Sequence, residues 1–118
     1  MRVDVERREW RTFLDVFGER NRDRPTRLEV INKSGDVSTD FWLEDGLTLT
    51  GTTLDRDGEG APRVEIMLDG CRPEVSRHMT RTIARARRLW REEGEDGRDS
   101  ALEVEDGEGY ITVLRFGE

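Results

Sequence analysis

The spacing of hydrophobic positions changes once along this chain, near Pro25. Before it the period is helical: Trp10, Phe13, Leu14 and Phe17 fall at i, i+3, i+4 and i+7 and form one apolar stripe. The spacing predicts a helix within residues 1–24, with Asp4 as its N-cap and Glu6 near the positive end of its dipole. Gly18 weakens that helix, and the polar run ERNRDRP ends it by Pro25. Three aromatic rings on one face require a broad partner surface, which a sheet supplies.

Beyond Pro25 the period falls to two. In TRLEVIN, Leu28 and Val30 alternate with Arg27 and Glu29; VSTDFWLED follows, then GLTLTGTTLD with Leu47 and Leu49 between polar neighbours. RVEIMLD sets Val64, Ile66 and Leu68 on one face, and ALEVED alternates Leu102 and Val104 with glutamates. GYITVLRFG is apolar on both faces, which predicts a central strand. Asp-Gly pairs at 45–46, 57–58, 69–70, 96–97 and 106–107 punctuate these runs as hairpin turns do. The pattern predicts an α+β fold in a single domain, 1–118: one N-terminal helix (1–24) packed on a curved antiparallel β-sheet (25–118). The sheet is expected as a meander of about six to eight strands, curling towards a half-open barrel.

Composition narrows the chemistry. Charged residues make up 40% of 118 and hydrophobic residues 33%, so the core is thin and the surface densely charged. The net charge of −7 repels nucleic acid and anionic membranes at long range. Cys71 is the only cysteine, which rules out an internal disulfide. The N-terminal MRVDVERREWR lacks the apolar stretch of a signal peptide, and no run is long enough to span a bilayer. A cytoplasmic protein with no membrane association is expected.

One stretch opposes the acidic trend. Seven arginines against Glu74 give residues 72–91 a charge of +6 and leave −13 for the rest. Read as a helix, Val75, Met79, Ile83, Ala86 and Trp90 form one face, with Arg77, Arg81, Arg85 and Arg88 roughly opposite. Thr80, Thr82 and Ile83 are poor helix formers, and Glu92 and Glu93 would meet the negative end of the dipole. Read as strands, RHMTRTI and RRLWREE are joined near Ala84 to Ala86, and Arg87, Arg88 or Arg91 lies opposite Glu103 or Glu105 across a hairpin closed by EEGEDGRDS. Pattern alone leaves the two readings nearly balanced.

Taken in order, REWRTFLDVF, HMTRTI and EEGEDGRDSALEVEDGEGYITVLRF resemble a family of short bacterial proteins classed only as a domain of unknown function. The shared pattern is an acidic-Trp helix start, an extended His-x-Thr-x-Thr-Ile segment, a turn that often carries proline, and an acidic hairpin ending Leu-Arg-Phe. The likeness covers most of the chain and is loosest between residues 20 and 65. It implies strand, turn, strand for residues 76–91. The chain departs from it at Arg85 and Ala86, where the proline-bearing turn belongs. The resemblance implies no activity and no site residues.

No catalytic constellation stands out. His78, the only histidine, shares a strand face with Thr80 and Thr82, a polar stripe suited to lining a pocket, but no nucleophile elbow accompanies it. Cys71 lies beside Arg72 without a resolving partner. The loop DRDGEG places Asp55, Asp57, Glu59 and Gly60 as an EF-hand would, yet Ile66 holds the twelfth position, where glutamate is needed. One histidine and one cysteine do not make a zinc site, and no phosphate-binding glycine motif is present. Phe41 and Trp42 are adjacent and point to opposite faces of a strand.

Three functions follow as expectations. The first is a non-enzymatic module, without cofactor, that binds a protein partner or itself, with a homodimer forming through an edge strand or around Trp90. The second is binding of nucleic acid or a small anion through Arg77, Arg81, Arg85, Arg87, Arg88, Trp90 and Arg91. The third is a ligand-binding barrel or enzyme around His78, Thr80 and Thr82.

Overall fold

A computed structural model of the chain describes residues 1–32, 41–56, 60–70 and 78–116. Strand β1 (Arg2–Asp4) and a 3-10 turn (Arg7–Glu9) precede helix α1 (Trp10–Arg20). The strands β2 (Pro25–Asn32), β3 (Phe41–Arg56), β4 (Pro62–Asp69), β5 (His78–Ile83), β6 (Ala86–Glu93), β7 (Asp99–Asp106) and β8 (Tyr110–Phe116) follow. All belong to one antiparallel sheet, ordered β1-β6-β7-β8-β2-β3-β4-β5.

From β2 onward each strand lies beside its successor, except that β5 and β6 do not pair. The chain instead closes on itself elsewhere, pairing β8 with β2 from Thr26↔Phe116 to Asn32↔Tyr110. Ile83 ends β5 and Ala86 begins β6; they stand towards opposite sides of the sheet order, yet both belong to one core. Only Ala84 and Arg85 separate them. The sheet therefore curls until its sides meet at this corner and stops short of a barrel. Arg85 turns the corner at φ 53, a left-handed conformation that costs an L-residue about 1–2 kcal/mol. Proline is excluded there because its ring fixes φ near −65°, so the expected proline cannot occupy position 85.

The apolar stripe of α1 faces the inside of the curl. Trp10, Leu14 and Phe17 are fully buried with Leu28, Leu49, Ile66, Leu89 and Leu102. Gly18 is where the helix comes closest to the sheet: a Cβ there would lie 2.6 Å from the Thr52 backbone nitrogen. The Thr52 hydroxyl donates to the Leu14 carbonyl at 2.6 Å, so the glycine that weakens the helix also lets it dock on β3. Gly51, at the register shift between Leu49 and Gly51, bends β3 at the same contact. A second, smaller cluster of Trp90, Ala101, Ile111 and Val113, with Ile31 against it, covers the outer face. β8, with Leu114 inside and Ile111 and Val113 outside, is central, flanked by β7 and β2.

Several expectations are corrected. Asp4 does not cap the helix: it closes the edge strand β1, opposite Trp90 of β6, and α1 starts at Trp10 after the 3-10 turn. VSTDFWLED and GLTLTGTTLD are not two strands about a turn at Asp45-Gly46. β3 runs unbroken through Gly46, which relieves its backbone at φ 95, and Asp45 pairs with Arg27. Residues 78–93 form two strands and a turn, not a helix. The side chains of Phe41 and Trp42, the center of DRDGEG at residues 57–59, and Cys71 lie outside the described residues.

Candidate functional site: an arginine cleft around Asp99

Helix α1 ends against the start of β7, and the junction is built on one carboxylate. Asp99 is 5% exposed. Its Oδ2 accepts hydrogen bonds from Arg20 Nε and Asn21 Nδ2, both at 2.7 Å, and its Oδ1 accepts from Arg91 Nε at 2.6 Å. Burial works to raise its pKa; the bonds from Arg20, Asn21 and Arg91 outweigh that and hold the carboxyl below the usual carboxylate range. Asp99 is therefore ionised at neutral pH.

The surrounding backbone is fixed from both sides. Asn21 closes α1, its backbone N–H and its Nδ2 both donating to the Phe17 carbonyl. Asp23 follows at φ 70 and donates its N–H to the Leu49 carbonyl at 2.8 Å, while Arg24 accepts from Leu49 N–H at 3.1 Å. Arg24 Nη1 then donates to Asn21 Oδ1 at 2.7 Å and to the Asp99 carbonyl at 2.8 Å. The Arg24 guanidinium lies 4.0 Å from the center of the Phe116 ring, a cation–π contact. On the other side the β6–β7 hairpin closes through Gly94 N–H to the Arg98 carbonyl at 2.8 Å, with Gly97 at φ 80.

The result is a cleft of about 280 Å³ lined by Arg20, Asn21, Arg24, Arg91, Gly97, Arg98 and Asp99. Four arginines thus line it: Arg20 and Arg91 bond the Asp99 carboxylate, Arg24 bonds its backbone carbonyl, and Arg98 borders the cleft. Arg91 also reaches Glu93, at 3.3 Å. Arg20 commits only its Nε; its two terminal nitrogens have no partner among the described residues, and its side chain is 48% exposed. Its described lining is guanidinium and amide N–H donors around one carboxylate. Among the described residues, no three His, Cys, Asp or Glu side chains are grouped to hold a metal ion.

Of the described arginines singled out in the sequence, only Arg91 joins this cleft. Arg81 points into the curl beside Ile83 and donates to the Thr112 hydroxyl at 3.4 Å. Arg85 occupies the corner, and Arg87 and Arg88 are exposed. Arg88 stands opposite Glu105, the cross-strand pairing expected, whereas Arg91 stands opposite Leu102 and Trp90 opposite Glu103. Arg77 lies outside the described residues. Residues 81–91 thus spread their arginines over the inside of the curl, the corner and the outer face, rather than along one strip.

Trp90 is not an open hot spot. It is 8% exposed and carries the Arg2 guanidinium 3.9 Å from its ring center. Arg2 also pairs with Glu103 at 2.8 Å. Burial pushes the Glu103 carboxyl above the usual range; Arg2 opposes that and the neighbouring Glu92 carboxylate adds to it. The polar stripe of His78, Thr80 and Thr82 lies on one face, as expected, but that face is exposed. His78 Nδ1 sits 2.9 Å from Asp69 Oδ1 with 77% of its side chain in solvent, whereas Thr82 borders a cleft at the β5–β6 corner.

Arg20, Asn21, Arg24, Arg98 and Asp99 escaped sequence reasoning. ERNRDRP reads as a helix terminator and GEDGRDS as a turn; their convergence depends on α1 docking beside the hairpin. No family model matches the chain, nor does any curated protein or solved structure. No helix among the described residues is long and apolar enough to cross a membrane.

Proposed function

We propose that this protein is a small, non-enzymatic interaction module that docks an acidic group of a protein partner in the arginine cleft. The observation that carries the reading is a cleft lined by four arginines and a single ionised carboxylate, which only two of them bond, in a chain of net charge −7. The negative end of α1 also lies here, at Arg20 and Asn21, and would by itself repel an anion. The arginines reverse that sign locally. Size supports a docking group over a cofactor: about 280 Å³ falls just below the roughly 300–1,000 Å³ of small-molecule sites. A side-chain carboxylate or a chain terminus fits such a volume. A cytoplasmic setting belongs to this reading, in keeping with the single cysteine.

Nucleic acid binding is the second reading, because Arg87 and Arg88 are exposed on β6. It has less geometric support, since a phosphate track needs arginines in one strip.

Both are tested by fluorescence anisotropy, with a labelled Asp/Glu-rich peptide and a single-stranded oligonucleotide at 50 and 200 mM salt. The peptide is expected to bind at low salt and to lose about tenfold or more in the double variant Arg20→Gln, Arg98→Gln, each lost charge-assisted bond being worth about 1.5–3 kcal/mol. Peptide affinity unchanged by that variant, or absent in the wild type, overturns the proposal. Oligonucleotide binding that falls about a thousandfold across this salt range, and is lost in Arg87→Gln, Arg88→Gln, would put nucleic acid in its place.

A further inference from the structure

The seam between β5 and β6 holds a charge that the fold does not satisfy. Along β5 the inward row is Met79, Arg81 and Ile83. Arg81 therefore sends a guanidinium into the curl from a position where its neighbours are apolar. Its Nε is buried with no hydrogen-bond partner, and its one side-chain bond is the 3.4 Å contact with Thr112. Among the described residues no carboxylate pairs with it. Arg81 is half-buried, and a charge held partly out of water without a counter-charge is costly, so native folds tend to pair such groups.

Arg81 borders a second cleft, of about 330 Å³, at the corner where the sheet fails to close. Ile83 and Ala84 form an apolar wall, and Arg85, Asp106 and Glu108 stand at its other sides. Asp106 is already engaged: its Oδ1 accepts the backbone N–H groups of Glu108 and Tyr110 at 2.8 and 3.1 Å. Asp106 is thus turned to its own backbone, and the part of Arg81 left to the cleft is its terminal end, where Nη1 has no partner among the described residues and is not buried.

We propose that this seam cleft binds the carboxylate of a small organic acid, with Arg81 as the principal ligand. The Nη1–Nη2 end of a guanidinium offers two parallel N–H donors, the fork that a carboxylate accepts. The cleft's two arginines and two acids already balance, so a monoanion adds the least net charge, whereas a phosphate dianion would bring a second negative charge beside Asp106 and Glu108. The apolar wall favours a short hydrocarbon tail on the acid. The site is distinct from the cleft around Asp99 and does not depend on its function.

The test is a proton–nitrogen NMR titration of the arginine Nε–Hε groups with propionate, inorganic phosphate and chloride at matched ionic strength. The Arg81 resonance is identified by its loss in Arg81→Gln or, should that variant not fold, by through-bond assignment in the wild type. It is expected to shift saturably with propionate, less with phosphate, and not with chloride. Thermal melting serves as an independent readout: propionate should raise the midpoint of the wild type and of Arg20→Gln, and not that of Arg81→Gln. An Arg81 signal unmoved by propionate means that water satisfies the group and overturns the site. Phosphate binding as tightly as propionate overturns the carboxylate assignment. Loss of the response in Arg20→Gln, with Arg81 unaffected, would assign it to the other cleft.

Discussion

Arg81 and Arg91 belong to one arginine run, on consecutive strands, and both point to the inner side of the sheet. Their circumstances are opposite. Arg91 delivers its Nε to Asp99 at 2.6 Å and reaches Glu93 as well; Arg81 has one long bond to a hydroxyl. The difference comes from pairing. β6 has β7 beside it, and the hairpin between them brings an acid to Arg91. The inner end of β5 faces the open seam, where no strand supplies one. A basic run in the sequence is therefore several separate electrostatic situations once the sheet is formed.

The largest effect should come from removing the acid that makes Arg91 comfortable. Asp99→Ala leaves Arg20, Asn21 and Arg91 without their acceptor and is expected to cost about 3 kcal/mol, at the low end for a broken buried pair because Arg20 is half in solvent. Urea unfolding measures it, and a loss under about 1 kcal/mol would remove Asp99 as the organiser of the cleft. Next comes the contrast between the arginines themselves. Arg91→Met should destabilise by about 2 kcal/mol, whereas Arg81→Met, in buffer free of carboxylates, should be neutral or stabilising by about 1 kcal/mol. Equal losses in the two variants would dissolve the comparison.

The smallest effect is on pH dependence. The pKa of Asp99 is depressed in the fold, so its stabilisation is present at neutral pH and disappears as pH falls through its low folded value. That of Glu103, on the outer face with Arg2 and Glu92, is raised, so its ionised form opposes folding at neutral pH. The opposition lifts as pH falls through its raised folded value. Stability should therefore peak at mildly acidic pH in a thermal-melting series. Glu103→Gln should flatten the side of the peak towards neutrality, and Asp99→Asn the acid side.

Local pattern made much of the fold legible. The stripe of Trp10, Leu14 and Phe17 gave the helix and its buried face, and the alternation in RVEIMLD and ALEVED gave strands with the right sides inward. The Asp-Gly pairs at 96–97 and 106–107 mark real hairpins, but the pair at 45–46 does not. Gly46 can adopt a positive φ inside a long strand as readily as in a turn, so the dipeptide alone cannot decide. β1 was missed because three residues of RVD carry no period. The candidate site was least legible. Arg91 and Asp99 are linked by a hairpin that the sequence displays, but Arg20, Asn21 and Arg24 reach them only through α1 packing on the sheet. The inward turn of Arg81 is hidden because the alternation groups Met79, Arg81 and Ile83 on one face without showing which face the sheet buries, and a charge in that row argues against burial.

The pairing of β8 with β2 carries a consequence for how this chain finds its shape. β2 to β5 and β6 to β8 are each built from neighbours in sequence, whose loops close at little entropic cost. The β2–β8 ladder joins residues 25–32 to residues 110–116, and neither meander can form it alone. Such distant pairing slows assembly towards the millisecond-to-second range of β-rich domains. That topology makes the meeting of the two halves the step expected to limit folding, and until it occurs the facing edges of β2 and β8 are unpaired surfaces open to association.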